Sequence, residues 1–244
     1  MKTNPSKSST LAATLALLLG TLPTSAETFV APPPEIVSAW KVTGEDAVVV
    51  FRHDGTFHLI QADAMDPGLE RGTFTWDKTT QVFSVDTIVD TTGDGGLSHP
   101  GGATTVSVTG NTLTYTVAGE GSYTLSRVVN TASSIVGSWL IPGENISVTF
   151  LDNNTYYLAE EANDAPFGYT GIEKGTYSWN SITKAFSATA TIDTNGDVGV
   201  NGVPPGVTVN ITGNSSRSTT ARKSPISTAW SPIRLRSVCL TSEL

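Results

Sequence analysis

A single cysteine, Cys239, stands in a chain of 244 residues, so no disulfide can form within it and stability must come from a packed core. Basic residues are short as well: 14 Lys and Arg against 22 Asp and Glu give a formal charge of −8. Nucleic-acid binding needs clustered cations that displace counterions, and that class of function is excluded. Long apolar runs are missing too. The longest, Leu11 to Leu22, is about a dozen residues where a membrane-spanning helix needs roughly 20, so no membrane span is expected. No helical period follows it, and no serine nucleophile elbow, phosphate loop or Cys–His signature occurs. His53, His58 and His99 are not repeated between copies, His53 and His58 are too few for a zinc set, and all three read as ordinary surface or strand positions.

What is present begins with Lys2 and Lys7 before that apolar run and ends in Thr24-Ser25-Ala26, the pattern of a secretory signal peptide at 1–26. Cleavage near Ala26 predicts a secreted or periplasmic protein, entered through a Pro-rich stem at 27–35. Thereafter one unit is written twice. Ile36-Val-Ser-Ala-Trp40 returns as Ile135-Val-Gly-Ser-Trp139 after about 99 residues, and the segment from Gly68 returns from Gly171 after about 103. The difference places an insertion between ADAMDP and EEANDAPFGYT. The repeats are 36–129 and 135–214, joined by the polar linker 130–134, and repeat 1 is expected to fold independently.

Within each copy the alternation is that of strands. Asp54-Gly55, and Asn153-Asn154 in the same place of the second copy, mark hairpins, and Asp77 to Thr80 marks another. Seven or eight short antiparallel strands per copy must cover their edges. The expected fold is all-β: two tandem small antiparallel β-barrels, with β-sandwiches as the alternative. The second barrel is expected to be incomplete, because likeness between the copies stops at Asn214. Residues 27–214 hold about 7 basic and 21 acidic residues, whereas the tail 215–244 holds about 5 and 1, and strand alternation vanishes there. A frameshift accounts for all three changes. Thr228 to Ser231, encoded as ACC GCG TGG TCC, reads from its third base as Arg-Val-Val, the ending of the first copy at Arg127 to Val129. A natural divergent tail is the rival. An incomplete second copy would leave an edge open to pairing or oligomerisation.

Gly137-Ser138-Trp139 at the start of a first strand, with Arg127 in the last strand YTLSRVV, resembles the lipocalin and related calycin barrels. The resemblance implies a tryptophan plugging one end of the barrel and an arginine packed across its face. The stretch from Gly171 through Glu173, Gly175, Tyr177 and Trp179 to DTNGD is similar to repeats of exported bacterial proteins of unassigned function. Trp40, Trp139, Trp76 and Trp179, equivalent in pairs, are expected in the core.

Candidate sites are few. Asp193, Asn195 and Asp197, with Asp90 and Asp94 in the first copy, place side-chain oxygens at alternate positions as a calcium loop does. The twelfth-position glutamate of such a loop is absent, and Asp and Asn beside Gly also make turns unaided. The turn is the expected reading and a weak calcium site the alternative; no other cofactor is expected. Tyr156, Tyr157, Phe167 and Tyr169, with Glu160 and Glu161, cluster near the insertion and are the candidate ligand-binding residues. Glu70 and Glu173 recur before a basic residue and a glycine, and an ion pair or a bond to a turn amide is the expected role. A non-catalytic protein binding a small apolar molecule or a short glycan is the first expectation. A structural or adhesive surface or matrix module is the second, and a hydrolase using loop carboxylates the third.

Overall fold

The computed structural model describes residues 31–141, 145–161, 169–196, 199–201, 205–211 and 238–239. The signal peptide with its cleavage site and the first part of the stem lie outside the described residues, as does the tail 215–244 apart from residues 238–239. The elements are all strands, and no described helix is long and apolar enough to cross a membrane.

The first copy forms β1 (Ser38–Val42), β2 (Ala47–Phe51), β3 (Thr56–Gln61), β4 (Gly68–Trp76), β5 (Phe83–Asp90), β6 (Thr104–Thr109), β7 (Thr112–Val117) and β8 (Gly121–Val128). The hairpin residues act as their chemistry requires. Asp54 Oδ1 accepts from the Thr56 amide at 3.0 Å beside Gly55 at φ 79°, and Asp77 Oδ1 accepts from the amides of Thr79 and Thr80. The sheet order is β5-β4-β3-β2-β1-β8-β7-β6, antiparallel throughout, with β1 pairing β8 at Ala39↔Val128 and Trp40↔Arg127. Its ends, β5 and β6, meet at the Val82↔Thr105 bridge, where the Val106 amide donates to Gln81 O at 2.8 Å. The sheet is thus a barrel left incomplete along the rest of the β5–β6 seam.

The second copy forms β9 (Gly137–Leu140), β10 (Ile146–Phe150), β11 (Thr155–Glu160), β12 (Gly171–Trp179) and β13 (Phe186–Asp193), in the order β13-β12-β11-β10-β9. Then β14 (Val209–Asn210) takes the place that β6 has in the first copy. The Ala185↔Thr208 bridge and the bond from the Val209 amide to Lys184 O reproduce the first copy's contacts. Its partner differs: β15 (Val238–Cys239) pairs with β14 in parallel, where β6 pairs antiparallel with β7. The fold is all-β, with two incomplete antiparallel barrels.

The lumen of the first barrel is filled by its own side chains. Trp40, Phe51, Phe57, Phe74, Trp76 and Tyr115 are buried in one cluster, with Phe51 and Phe74 ring centroids 4.8 Å apart. The Arg127 guanidinium lies 4.2 Å from the centre of the Trp40 ring and donates to Glu35 O at 2.6 Å, while Trp40 Nε1 donates to Ile36 O at 2.8 Å. Trp139 repeats the last bond to Ile135 O. Trp76 and Trp179 each tie the strand after the long loop to the sheet, through Val106 O and Val209 O. Trp40, Trp76 and Trp139 are buried and Trp179 is half-buried.

A separate apolar cluster joins the two copies back to back. Ala39, Val48, Val50, Ile60 and Leu69 of the first meet Tyr157, Ala159 and Ile172 of the second, with β3 against β11 and β4 against β12. Polar groups caught there are paired across. His58 Nδ1 lies 2.7 Å from Ser147 Oγ, Tyr157 donates to Asp46 Oδ1 at 2.6 Å, Lys174 pairs with Asp46, and Arg71 with Glu161 at 2.6 Å.

A fragment of residues 31–129 keeps its lumen but loses the cover over Val48, Val50, Ile60 and Leu69, each worth roughly 1.5–3 kcal/mol when fully buried. The fragment is expected to unfold cooperatively at a lower denaturant midpoint than the full chain and to self-associate through that face. Denaturant titration and size-exclusion chromatography check both, and a non-cooperative transition would show that the first barrel needs the second.

Candidate functional site

Two glycines in each copy explain the repeated Gly-x-Glu-x-Gly. A register shift interrupts the β4–β5 pairing between Arg71 and Gly72, and the β12–β13 pairing between Lys174 and Gly175. A side chain on Gly72 would overlap Asp86 O, and one on Gly175 would overlap Thr189 O, so the bulge admits only glycine. Just before each bulge stands a fully buried glutamate, Glu70 or Glu173.

Glu70 reaches into the loop after β5 and fastens it. Its Oε2 accepts from the Leu97 amide at 2.8 Å, and its Oε1 from Ser98 Oγ at 2.6 Å, the Ser98 amide at 3.3 Å and Thr92 Oγ1 at 3.2 Å. The carboxylate fills the space beside Gly96, which has φ 88° and where any Cβ would overlap Glu70 Oε1. Asp90 turns the same loop, its Oδ1 accepting from the Thr92 amide and Thr92 Oγ1, each at 2.9 Å. The expected bond from this glutamate to a turn amide is the one present.

Copy two repeats the device with fewer donors. Glu173 Oε2 accepts from the amides of Val200 at 3.1 Å and Asn201 at 3.0 Å and from Tyr156 Oη at 3.1 Å, while Oε1 has no hydrogen-bond partner. Burial pushes Glu173 up to about 7, against the opposing pull of the Asn201 and Val200 amides. Asp193 accepts from the Gly196 amide at 3.2 Å and from Asn201 Nδ2 at 3.2 Å.

Beside the first loop opens a cleft of about 320 Å³ lined by Val85, Asp86, Thr87, Ile88, Asp90, Ser98 and His99. Ser98 lines it, with its Oγ 2.6 Å from Glu70 Oε1, 2.8 Å from Asp90 Oδ2 and 2.9 Å from His99 Nδ1. Burial draws Asp90 upward, but hydrogen bonds from the Thr92 amide and the Ser98 and Thr92 hydroxyls outweigh it and hold its carboxyl below the ordinary range. His99 is half exposed and its Nδ1 lies 3.4 Å from Asp90 Oδ2.

The residues singled out from sequence fall elsewhere. Tyr156 and Tyr157 are fully withdrawn from solvent, the first in the second copy's inner cluster and the second in the cluster between copies, which takes both out of reach of a surface ligand. Glu160 is buried and accepts from Asn195 Nδ2 at 2.8 Å, and Glu161 is held by Arg71. Tyr169 is 63% exposed; Phe167 lies outside the described residues. Of the calcium candidates, Asp90 and Asp193 each spend an oxygen on an amide of their own turn, Asn195 is buried, Asp94 is exposed, and Asp197 lies outside the described residues. That is turn geometry. Ser98 and His99 went unselected, and the only signal for them was that Asn201-Gly202 stands in their place in the second copy. Comparison with protein-family models, curated proteins and solved structures gives no match.

Two buried groups set opposite pH dependences. Burial, followed by the charges of Arg52 and Arg71, pushes His58 down to about 3, so the folded chain keeps it neutral while the unfolded chain protonates it below about 6.5. Its stabilisation is complete above about pH 6.5 and is lost as pH falls toward 3. Glu173 runs the other way: its stabilisation is complete below about pH 4.5 and is lost as pH rises through 7. Between pH 4.5 and 6.5 the two oppose each other. Glu173→Gln is expected to unmask the His58 slope there, stability rising by up to about 1.4 kcal/mol per pH unit. Urea midpoints across that range check it, and a profile identical to wild type would refute the assignment.

Proposed function

We propose that the protein is an exported, non-catalytic binding protein that takes a short glycan or comparable polyhydroxy molecule at the cleft beside β5. The observation that carries this reading is the contrast between the two cavities a barrel protein offers. The lumen of the first copy is occupied by Phe51, Phe74, Phe83 and Tyr115 in mutual ring contact, which speaks against a small apolar guest there. The cleft instead presents carboxylates from Asp86 and Asp90 and the hydroxyl of Ser98, beside the apolar Val85 and the exposed Ile88. Carboxylates and hydroxyls on a wet, partly apolar wall suit vicinal hydroxyls with apolar ring faces. Export rests on the charged start, apolar run and Ala26 of the N-terminal segment.

The carboxylates do not favour a hydrolase. Glu70 is fully buried and hydrogen-bonded through both oxygens to its own loop, so it cannot meet a substrate while the loop holds. The back-to-back cluster of apolar residues favours one other reading, a stiff spacer in a surface or matrix assembly.

Amide NMR titration separates these readings. Maltotriose, cellotriose and chitotriose are added in turn, then dodecanoate. One of the sugars is expected to shift Asp86, Ile88, Ser98 and His99, and the shifts are expected to vanish in Asp86→Ala. Shifts confined to Leu113 and Val117 with dodecanoate would return the site to the lumen, and no shift up to about 10 mM of any probe would leave the spacer reading.

A further inference from the structure

We infer that the free edge of β5 takes an extended basic peptide as an added strand, seated between β5 and the loop at Ser98 and His99. The lining of the cleft shows where that edge lies. Val85, Asp86, Thr87 and Ile88 all line it, and consecutive residues of a strand point to opposite faces, so the cleft follows the rim of the sheet rather than either face. On one side β5 pairs with β4 from Phe83 to Asp90. Toward β6, among the described residues, it is joined only at its start, by the Val82↔Thr105 bridge and the bond from Thr104 Oγ1 to Phe83 O at 2.6 Å.

The pairing fixes which backbone groups the rim offers. Antiparallel partners turn their amides and carbonyls toward each other in one pair and away in the next. The Asp77 amide donates to Val82 O, which puts that carbonyl on the β4 side, so Phe83, Val85 and Thr87 turn theirs outward. The second copy has the same register and caps it. There the Phe186 amide, counterpart of Phe83, donates to Val207 O at 3.1 Å, and the Ala190 amide, counterpart of Thr87, donates to Asn201 Oδ1 at 3.2 Å. In the first copy Ser98 stands in the place of Asn201, and its hydroxyl is held by Glu70, Asp90 and His99. Among the described residues nothing accepts from the outward amides of Val85 and Thr87. Outward amides and carbonyls beside a second wall are what strand addition uses.

Side chains select the occupant. Residues of the added strand that bond Val85 and Thr87 stand opposite them and share their half-buried face, which suits β-branched apolar side chains. The residues between stand beside Asp86 and the exposed Ile88, where a lysine lays its stem on the isoleucine and its ammonium near the carboxylate. No Lys or Arg lines the cleft, Asp86 forms no ion pair among the described residues, and the whole chain carries a formal charge of −8. A second copy of this chain fits less well, because two-fold pairing through Val85 and Thr87 sets Asp86 opposite Asp86. The added strand goes beyond the glycan reading and does not rest on it: the glycan is assigned to side chains and the strand to backbone, and the two occupants exclude each other.

The test adds acetyl-Lys-Val-Lys-Val-Lys-amide to the full chain and follows amide resonances. The Val85 and Thr87 amides are expected to shift and to exchange more slowly with solvent, with saturation below about 1 mM peptide. N-methylation of both valines, whose amides face β5, is expected to abolish binding, whereas N-methylation of the central lysine, whose amide faces away, is expected to preserve it. Glutamate in place of each lysine is expected to weaken binding at least about 10-fold, and Asp86→Lys to reverse that preference. Thr87→Pro removes an amide that the sheet does not use, as an edge strand allows, and is expected to lose the peptide while keeping the fold. Equal effects of the two N-methylations would overturn the inference, as would unchanged binding in Thr87→Pro or no shift of either amide at about 1 mM. So would shifts confined to Leu113 and Val117, or self-association of the chain without uptake of peptide.

Discussion

The two sheets are buried on both of their faces over their central strands, and the rest of the structure follows from that. Antiparallel sheets commonly turn one face to water, and their strands then alternate. In β2 every residue from Ala47 to Phe51 is buried, because Val49 and Phe51 point into the lumen while Val48 and Val50 meet the other copy. The run AVVVF is apolar throughout for that reason. Polar side chains on the shared face find partners in the other copy, as His58 does in Ser147 and Tyr157 in Asp46. The shared face covers β1 to β4 and stops there. On β5 the burial alternates from Phe83 to Asp90, so Ser84, Asp86 and Ile88 face water, whereas past the bulge Asp90 stands opposite the buried Glu70.

Inside each copy the buried glutamate plays the corresponding local part. Its carboxylate lies where a side chain on Gly96 or Gly199 would have to go, and it receives the amides of the residues that follow. The pattern of glycines and acidic residues that resembles a metal loop is thus first a lock between a bulged strand and a crossover loop. The same lock has different electrical consequences in the two copies. Glu70 accepts from hydroxyls of Thr92 and Ser98 in addition to amides, whereas Glu173 keeps one oxygen without a partner in a buried place and holds its proton to about pH 7. One scaffold has therefore given the glutamate hydroxyl-rich surroundings in one copy and proton-holding ones in the other.

Much of the fold was legible because its signals are local. Asp54-Gly55 and Asn153-Asn154 make the turns their chemistry requires, the strands alternate where one face is wet, and the duplicated text places each element twice. The shared face left no such mark. His58 in TFHLIQ looks like any strand histidine, and only a partner about 90 residues away in the chain makes it a buried neutral group. Tyr157 misled for the same reason: its neighbourhood to the insertion suggested a ligand, while its hydroxyl reaches Asp46 of the other copy. The cleft was hidden by distance in sequence, since Glu70, Asp90 and Ser98 come together only after a strand reversal and a crossover loop.

The copies differ at the edge of their first strands among the described residues. The first has β8 on the open side of β1, with Arg127 over Trp40, and so encloses its own lumen. At the matching place in the second, the Asn130 side chain bonds both backbone groups of Ser138, accepting from its amide at 2.9 Å and donating to its carbonyl at 3.4 Å. Ser138 is the counterpart of Ala39, whose partner in the first copy is a full strand at Val128. A linker side chain thus stands in for a strand at one rung of the ladder, and the edge of β9 is capped there rather than extended. The Trp139 ring keeps its bond to Ile135 O, while the cation that lies over Trp40 in the first copy comes from β8, a strand with no counterpart among the described residues of the second copy. Substitutions at Tyr157 or Ile172 act on the shared face rather than on either lumen. The first barrel carries the cleft, and the second contributes chiefly by covering its back.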